Sequence, residues 1–192
     1  MVLGDPNPDW GGGISLNMRY KKFRLNAVLE HSQGGSFSPR TLWVLRRFGT
    51  TQETANRLTL DQSLVNYKGT TVPAGTTVRG NVKDFGGGPV LLDENWYRTG
   101  IGGGFGDNQA YNFSIADATW TKLRDLSLSY VLDTPVIKNI GLNDVILTFT
   151  GRDLININNV DGIDPEINTK GVSVAQGVEY FTNPQTKGFL FS

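Results

Sequence analysis

The 192-residue sequence contains no cysteine, which removes disulfide scaffolding, thiolate metal centres and thiol nucleophiles from consideration. It contains one histidine, His31, so neither a zinc site nor a Ser-His-Asp triad can be assembled within the chain. His31 reads instead as a polar residue where a strand meets a loop. Charge of either sign is not in excess, because 18 basic and 18 acidic residues cancel. No basic patch argues for nucleic acid, and no acidic tail argues for a charged partner. There is also no uninterrupted run of about 18 apolar residues, so no helix of this chain is expected to cross a membrane. The opening residues, Met1 to Pro6, have neither a basic n-region nor an apolar h-region and do not read as a signal peptide.

What is present is glycine, scattered aromatics and alternation. Ile14, Leu16, Met18 and Tyr20 alternate with polar residues, and so do Phe23, Leu25, Ala27 and Leu29 after Lys21-Lys22. A two-residue turn at Lys21-Lys22 pairs Tyr20 with Phe23, Met18 with Leu25, Leu16 with Ala27 and Ile14 with Leu29. All the apolar side chains then share one face, with Asn17 opposite Asn26 on the other. Alternation returns at Leu126, Leu128, Tyr130 and Leu132, in a strand beginning around 118–123. It returns again over Asp144–Leu154, and a last segment at Lys187–Ser192 puts Phe189 and Phe191 on one face. Residues 136–142 form a short connector with a helical turn. The spans 32–112 and 155–183 read as loops. Within the first, Arg40–Arg47 and Gln52–Leu64 are expected to form short helices, and Thr70–Val82 a small hairpin.

Period-two alternation fits two readings. In a soluble sandwich one face packs on a second sheet and the other meets water. In a membrane barrel the apolar face meets lipid and the polar face the lumen. Short connections (21–22, 133–143) alternate with long ones (32–112, 155–183), and barrels place short turns at one end and long loops at the other. Tyr20, Phe23, Trp120 and Tyr130, near strand ends, fit interfacial girdles.

A set of blocks resembles the SusC/RagA family of TonB-linked outer-membrane transporters. They are Gly4-Asp5-Pro6-Asn7-Pro8-Asp9-Trp10 with Gly12-Gly13, the Tyr20-Lys21-Lys22-Phe23 turn, Gln33-Gly34-Gly35, and Asp117-Ala118-Thr119-Trp120 running into the strand Lys122 to Tyr130. Gly151-Arg152-Asp153-Leu154 follows, with Asp153 where the family more often has Asn. Then come Gly162-Ile163-Asp164-Pro165-Glu166-Ile167-Asn168 and Pro184-Gln185-Thr186-Lys187. Their shared order carries the resemblance. It implies an all-β segment of about five antiparallel strands at the C-terminal end of a large transmembrane barrel with long extracellular loops. Residues 1–192 would then be part of a longer TonB-dependent receptor whose plug and earlier strands lie elsewhere. Such a piece alone is expected not to insert stably, because its open edges leave backbone groups unpaired in lipid.

If the last strand ends at the periplasm, 21–22 and 133–143 fall on that side, and 32–112 and 155–183 fall outside the cell. The resemblance implies an outer-membrane location, import of oligosaccharides or peptides, a SusD-like surface lipoprotein as partner, and energy from the TonB complex. No cofactor and no covalent chemistry are implied. The competing function is a soluble β-sandwich carbohydrate-binding module. Trp96, Tyr97 and Tyr111, in the long insertion, are candidates for ligand or partner contact, with self-packing of that insertion as the alternative. Arg19, Arg24 and Arg152 are expected to face the lumen. Asp161, Asp164 and Glu166 form an acidic loop that lacks the EF-hand spacing and is at most a candidate for oxygen-ligated Ca²⁺. The Gly100–Gly106 stretch lacks the Gly-Lys-Ser/Thr continuation of a phosphate loop, and Asn112-Phe113-Ser114 fits a glycosylation sequon of no meaning in a bacterial protein.

Overall fold

The computed structural model describes residues 4–99, 115–139, 141, 145–167, 169, 176–183 and 185–192. Tyr111, Asn168, Pro184, the 100–106 glycine stretch and the 112–114 sequon lie outside the described residues. In chain order the elements begin with strands β1 (Trp10–Tyr20), β2 (Phe23–Gln33) and β3 (Ser36–Pro39). Helices α1 (Arg40–Phe48) and α2 (Gln52–Ala55) precede β4 (Arg57–Thr59), β5 (Leu64–Asn66), β6 (Thr71–Val72), β7 (Thr77–Asp84) and β8 (Pro89–Asp93). Then come α3 (Glu94–Arg98), β9 (Ala116–Asp117), β10 (Trp120–Leu132), α4 (Pro135–Asn139), β11 (Val145–Asn158), β12 (Val178–Glu179) and β13 (Gly188–Phe191). The chain divides into two compact units, and β3 and β9 lie where it passes between them.

The first unit is an antiparallel sheet of five strands in the order β1-β2-β10-β11-β13. Its hairpin register is the one the alternation predicts, with Ile14 opposite Leu29, Asn17 opposite Asn26 and Tyr20 opposite Phe23. Lys21 takes φ 54° in the turn, an unfavourable conformation for a side chain that the flanking pairs hold in place. The strands run further than the alternation suggests, reaching Trp10 and Gln33.

β11 also outruns its expected end at Leu154 and continues to Asn158. The reason is a bulge. Leu126 pairs with Gly151 and Leu123 with Ile155, while Asp153 adopts φ 50°. The extra residues shift the phase of the alternation, so Leu123 and Leu126 share a face although they are three apart. Helix α4 occupies the expected connector.

The second unit is built mainly from the long insertion, which has its own sheet and core. Its strands are ordered β4-β7-β8-β5-β6. Leu60, Leu64 and Leu91 form one buried cluster with Leu58, Val72 and Val78 packed around it, and Leu92, Trp96 and Tyr97 form another. The expected helix at Arg40–Arg47 is α1, which ends at Gly49 in the left-handed conformation. The other two local expectations are corrected. Helix is confined to Gln52–Ala55, because Leu58 and Leu64 lie in strands that pack on Leu60 and Leu91. Thr70–Val82 is not a hairpin: β6 pairs with β5, whereas β7 pairs with β4 and β8. β12 pairs in parallel with β3, and the buried Glu179 carboxylate accepts the Thr41 hydroxyl proton at 2.6 Å, tying that short strand to the start of α1.

Candidate functional site

The two faces of the five-stranded sheet differ in chemistry. One carries Ile14, Leu16, Met18, Tyr20, Phe23, Leu128, Leu147, Phe149, Phe189 and Phe191, which are exposed, Ile14 and Phe191 to 69% each. Phe23 packs on Tyr130 at 4.8 Å and Phe149 stacks on Phe189 at 6.0 Å, so the aromatics associate without being covered. A contiguous apolar face of this extent in contact with water is not a stable arrangement for a soluble protein.

The opposite face is polar. Ser127 and Thr150 pair through their hydroxyls at 3.1 Å, and Ser129 and Thr148 at 3.0 Å. Arg19 and Arg24 stand opposite each other on this face. Arg152 follows by the same alternation, its Nε 3.9 Å from Asp125. All three arginines therefore share the polar side, and none of them joins the buried charges further along.

Those charges lie at the end of β10 nearest Trp120. Lys122 is 1% exposed. Its ammonium donates to Asp164 at 2.6 Å, to Gln185 at 3.0 Å and to Glu166. Arg124 donates to Glu30 at 2.7 Å and to Glu166. Trp120, expected among girdle aromatics, sits on the polar face instead. Its ring lies 5.1 Å from both Lys122 Nζ and the Arg124 guanidinium. The acidic loop is thus turned toward the chain's own cations: Asp164 and Glu166 hold Lys122 and Arg124, and Asp161 is not among their partners. Among the described residues no group of three or more metal-ligating side chains converges.

Burial pushes the Glu166 carboxyl up, but the hydrogen bonds from Arg124 and Lys122, together with their charges, outweigh it and hold it below the ordinary carboxylate range. A depressed carboxyl contributes stability above its unfolded value of about 4.3, and that contribution is lost as pH falls through the lower folded value. Acidification below about pH 4 is therefore expected to release the 159–167 loop. Hydrogen exchange of that loop should accelerate more on acidification in the wild type than in Glu166→Gln; parallel pH profiles would contradict the assignment.

Blocks far apart in sequence meet beside this cluster. Thr119 Oγ1 accepts the Gly34 amide at 2.9 Å and donates to Asp117 at 2.7 Å. Asp9 N donates to the Gln33 carbonyl at 2.9 Å, and Ala118 N to the Gly35 carbonyl at 3.1 Å. Gly34 has φ 79°, and a Cβ there would lie 2.1 Å from Asp9 Oδ2, so the Gln33-Gly34-Gly35 block needs glycine at this crossing. His31 bridges β2 and β10, with Nδ1 2.8 Å from Thr121 Oγ1 and its ring against Trp10. Sequence reading did not find Lys122, Arg124 or Glu30 as members of a site. The available signal was a lysine and an arginine two apart in a strand that also bears apolar residues.

In the insertion unit, Trp96 and Tyr97 are buried, 9% and 4% exposed, and meet edge to face at 4.8 Å. Tyr97 Oη accepts from Asn81 Nδ2 at 2.6 Å. Burial raises the Tyr97 phenol above its ordinary value against that hydrogen bond, and it stays protonated at neutral pH. Tyr97 also lines a pocket rich in arginine.

No family model matches the chain. It is 24% identical over 193 aligned residues to TonB-dependent receptor P3 of Formosa agariphila, an alignment covering 98% of this chain and 16% of that protein. The fold resembles the RagAB peptide importer in its open-open state (TM-score 0.55, 18% identity) and in its closed-closed state (TM-score 0.56, 17% identity). Each superposition covers 96% of this chain and 17% of the other. In sequence the chain is thus similar to a TonB-dependent receptor and in fold to part of the RagAB peptide importer, and it spans about one sixth of the length of each.

Proposed function

We propose that the five-stranded sheet is part of the wall of a closed transmembrane barrel and that the insertion unit is an extracellular domain of the same transporter. The observation that carries this reading is the exposed apolar face of the sheet backed by a hydroxyl- and arginine-bearing one. Lipid covers the first, and the second lines the import path, with Arg19, Arg24 and Arg152 along it. The outer edges of β1 and β13 pair with further strands of the barrel, since an open edge in lipid costs several kcal/mol per unpaired group. The transporter takes up peptides or oligosaccharides with a SusD-like lipoprotein over its external surface and draws its energy from the TonB complex. The likeness to a peptide importer favours peptides.

Single-cysteine labelling tests the orientation, helped by the absence of native cysteine from this segment. Cysteines at Leu16 and Leu128 in the intact receptor are expected to meet a membrane-dissolved quencher. Those at Asn17 and Ser127 should react with a water-soluble maleimide, and a tag inserted between Gly86 and Gly87 should bind antibody on whole cells. The reverse labelling pattern would discard the barrel reading in favour of a soluble sandwich.

A further inference from the structure

The turn between β1 and β2 breaks a local rule. Lys21 stands at φ 54°, a left-handed conformation that glycine or asparagine takes at less cost. Its side chain does little within the sheet to offset that cost. Lys22 is engaged across the turn: its ammonium donates to the Asp133 carbonyl at 3.0 Å, and its own carbonyl accepts the Val131 amide at 2.9 Å. The Lys21 ammonium, among the described residues, meets the Tyr20 ring alone, 5.3 Å from its centroid. Tyr20 belongs to the exposed apolar face with Ile14, Leu16 and Met18, and is itself 70% exposed. The contact therefore brings the Lys21 charge to the apolar side, opposite to the side that bears Arg19 and Arg24.

We infer that Lys21 and Tyr20 bind the phosphate of an anionic phospholipid at the rim of the apolar face. An ammonium on a flexible stem, at the end of a strand whose apolar side chains meet lipid, stands at the level of the headgroups. The Tyr20 ring keeps it there, and the Tyr20 hydroxyl is a second donor for phosphate oxygens. Phe23, exposed and packed on Tyr130 at 4.8 Å, continues the apolar rim on which the acyl chains rest. The positive charge selects an anionic headgroup over a zwitterionic one. The inference rests on the barrel reading, because it needs lipid against this face. The insertion departs from the other end of β2, after Gln33, so on that reading the turn meets the periplasmic leaflet.

The test reads the lipid at this spot. Met18→Cys in the intact receptor carries a fluorophore one pleat from Tyr20 on the same face, in bilayers of phosphatidylcholine. Brominated phosphatidylglycerol is expected to associate there about five-fold more strongly than brominated phosphatidylcholine, and less so as salt rises. Lys21→Asn removes the charge and suits the left-handed backbone, so it should melt no lower than the wild type while the preference disappears. Lys21→Arg should retain it. A preference that survives in Lys21→Asn would overturn the inference, and so would displacement of the brominated lipid by millimolar glycerol phosphate, which would assign the lysine to a soluble ligand. Equal quenching by the two lipids overturns the headgroup site and leaves the barrel reading standing. Quenching by neither lipid overturns both.

Discussion

Replacing Lys122 with Met is expected to loosen the 159–167 loop by about 3–5 kcal/mol, the usual cost of removing one partner from a buried ion cluster. The lysine is 1% exposed and joins Asp164, Glu166 and Gln185 to one ammonium. Methionine fills the same space, so the loss is electrostatic. Asp164, whose side chain is 7% exposed, is left as a buried charge that, among the described residues, has Asn156 Nδ2 at 3.3 Å and the Glu166 amide at 3.1 Å to offset it. Glu166 keeps Arg124 and suffers less. Hydrogen exchange over 159–167 in the intact receptor should accelerate by about two to four orders of magnitude. Adding Asp164→Leu to Lys122→Met should recover part of the protection, because the orphaned charge is then gone. Unchanged exchange in the single variant would show that the cluster does not hold the loop.

Gly80→Ala is expected to disrupt the insertion unit at a cost of at least about 3 kcal/mol. A Cβ at Gly80 would stand 2.1 Å from the Leu92 carbonyl oxygen, which is backbone and cannot swing aside. Gly80 opposes Asp93 at the start of the β7–β8 pair, and its amide donates to the Asn56 carbonyl at 3.0 Å. Relieving the clash therefore parts β7 from β8, and the adjoining Leu91 and Leu92 lose their packing. Limited proteolysis of the intact receptor should cut Gly80→Ala between residues 77 and 93 far sooner than the wild type. Gly87→Ala, at a position where an added Cβ meets nothing within 4 Å, should leave cleavage unaltered. Equal resistance in all three proteins would mean that the strand pair absorbs the added methyl.

The sheet was legible from sequence wherever alternation ran unbroken. Ile14 to Leu29 predicts its own register because a slip of one residue would reverse every side chain. Legibility failed at the bulge, where Asp153 and Arg124 change the phase and the period-two pattern stops two turns of pleat before the strand does. The insertion was less readable because its strands are only two to eight residues long and pair out of order. Leu58 and Leu64 look helical in isolation, and long-range packing on Leu91 decides otherwise. Trp120 was misassigned because an aromatic residue near a strand end has the same local sequence whether it faces lipid or covers a cation. The charge cluster depends on residues as distant as Glu30, Arg124 and Glu166, whose meeting no local pattern encodes.

The bond from Ala118 N to the Gly35 carbonyl also bears on the order of assembly. β2 and β10 are neighbours in the sheet, yet everything from Ser36 to Asp117 must be looped out before Leu29 finds Leu123. Closing a slack loop of that length is an entropic barrier that falls on the rate of strand zipping. An insertion that condenses early on its own leucine core shortens the effective tether and lowers that barrier. A unit with a core of its own would then also act as a folding clamp, setting the pace at which β2 and β10 pair.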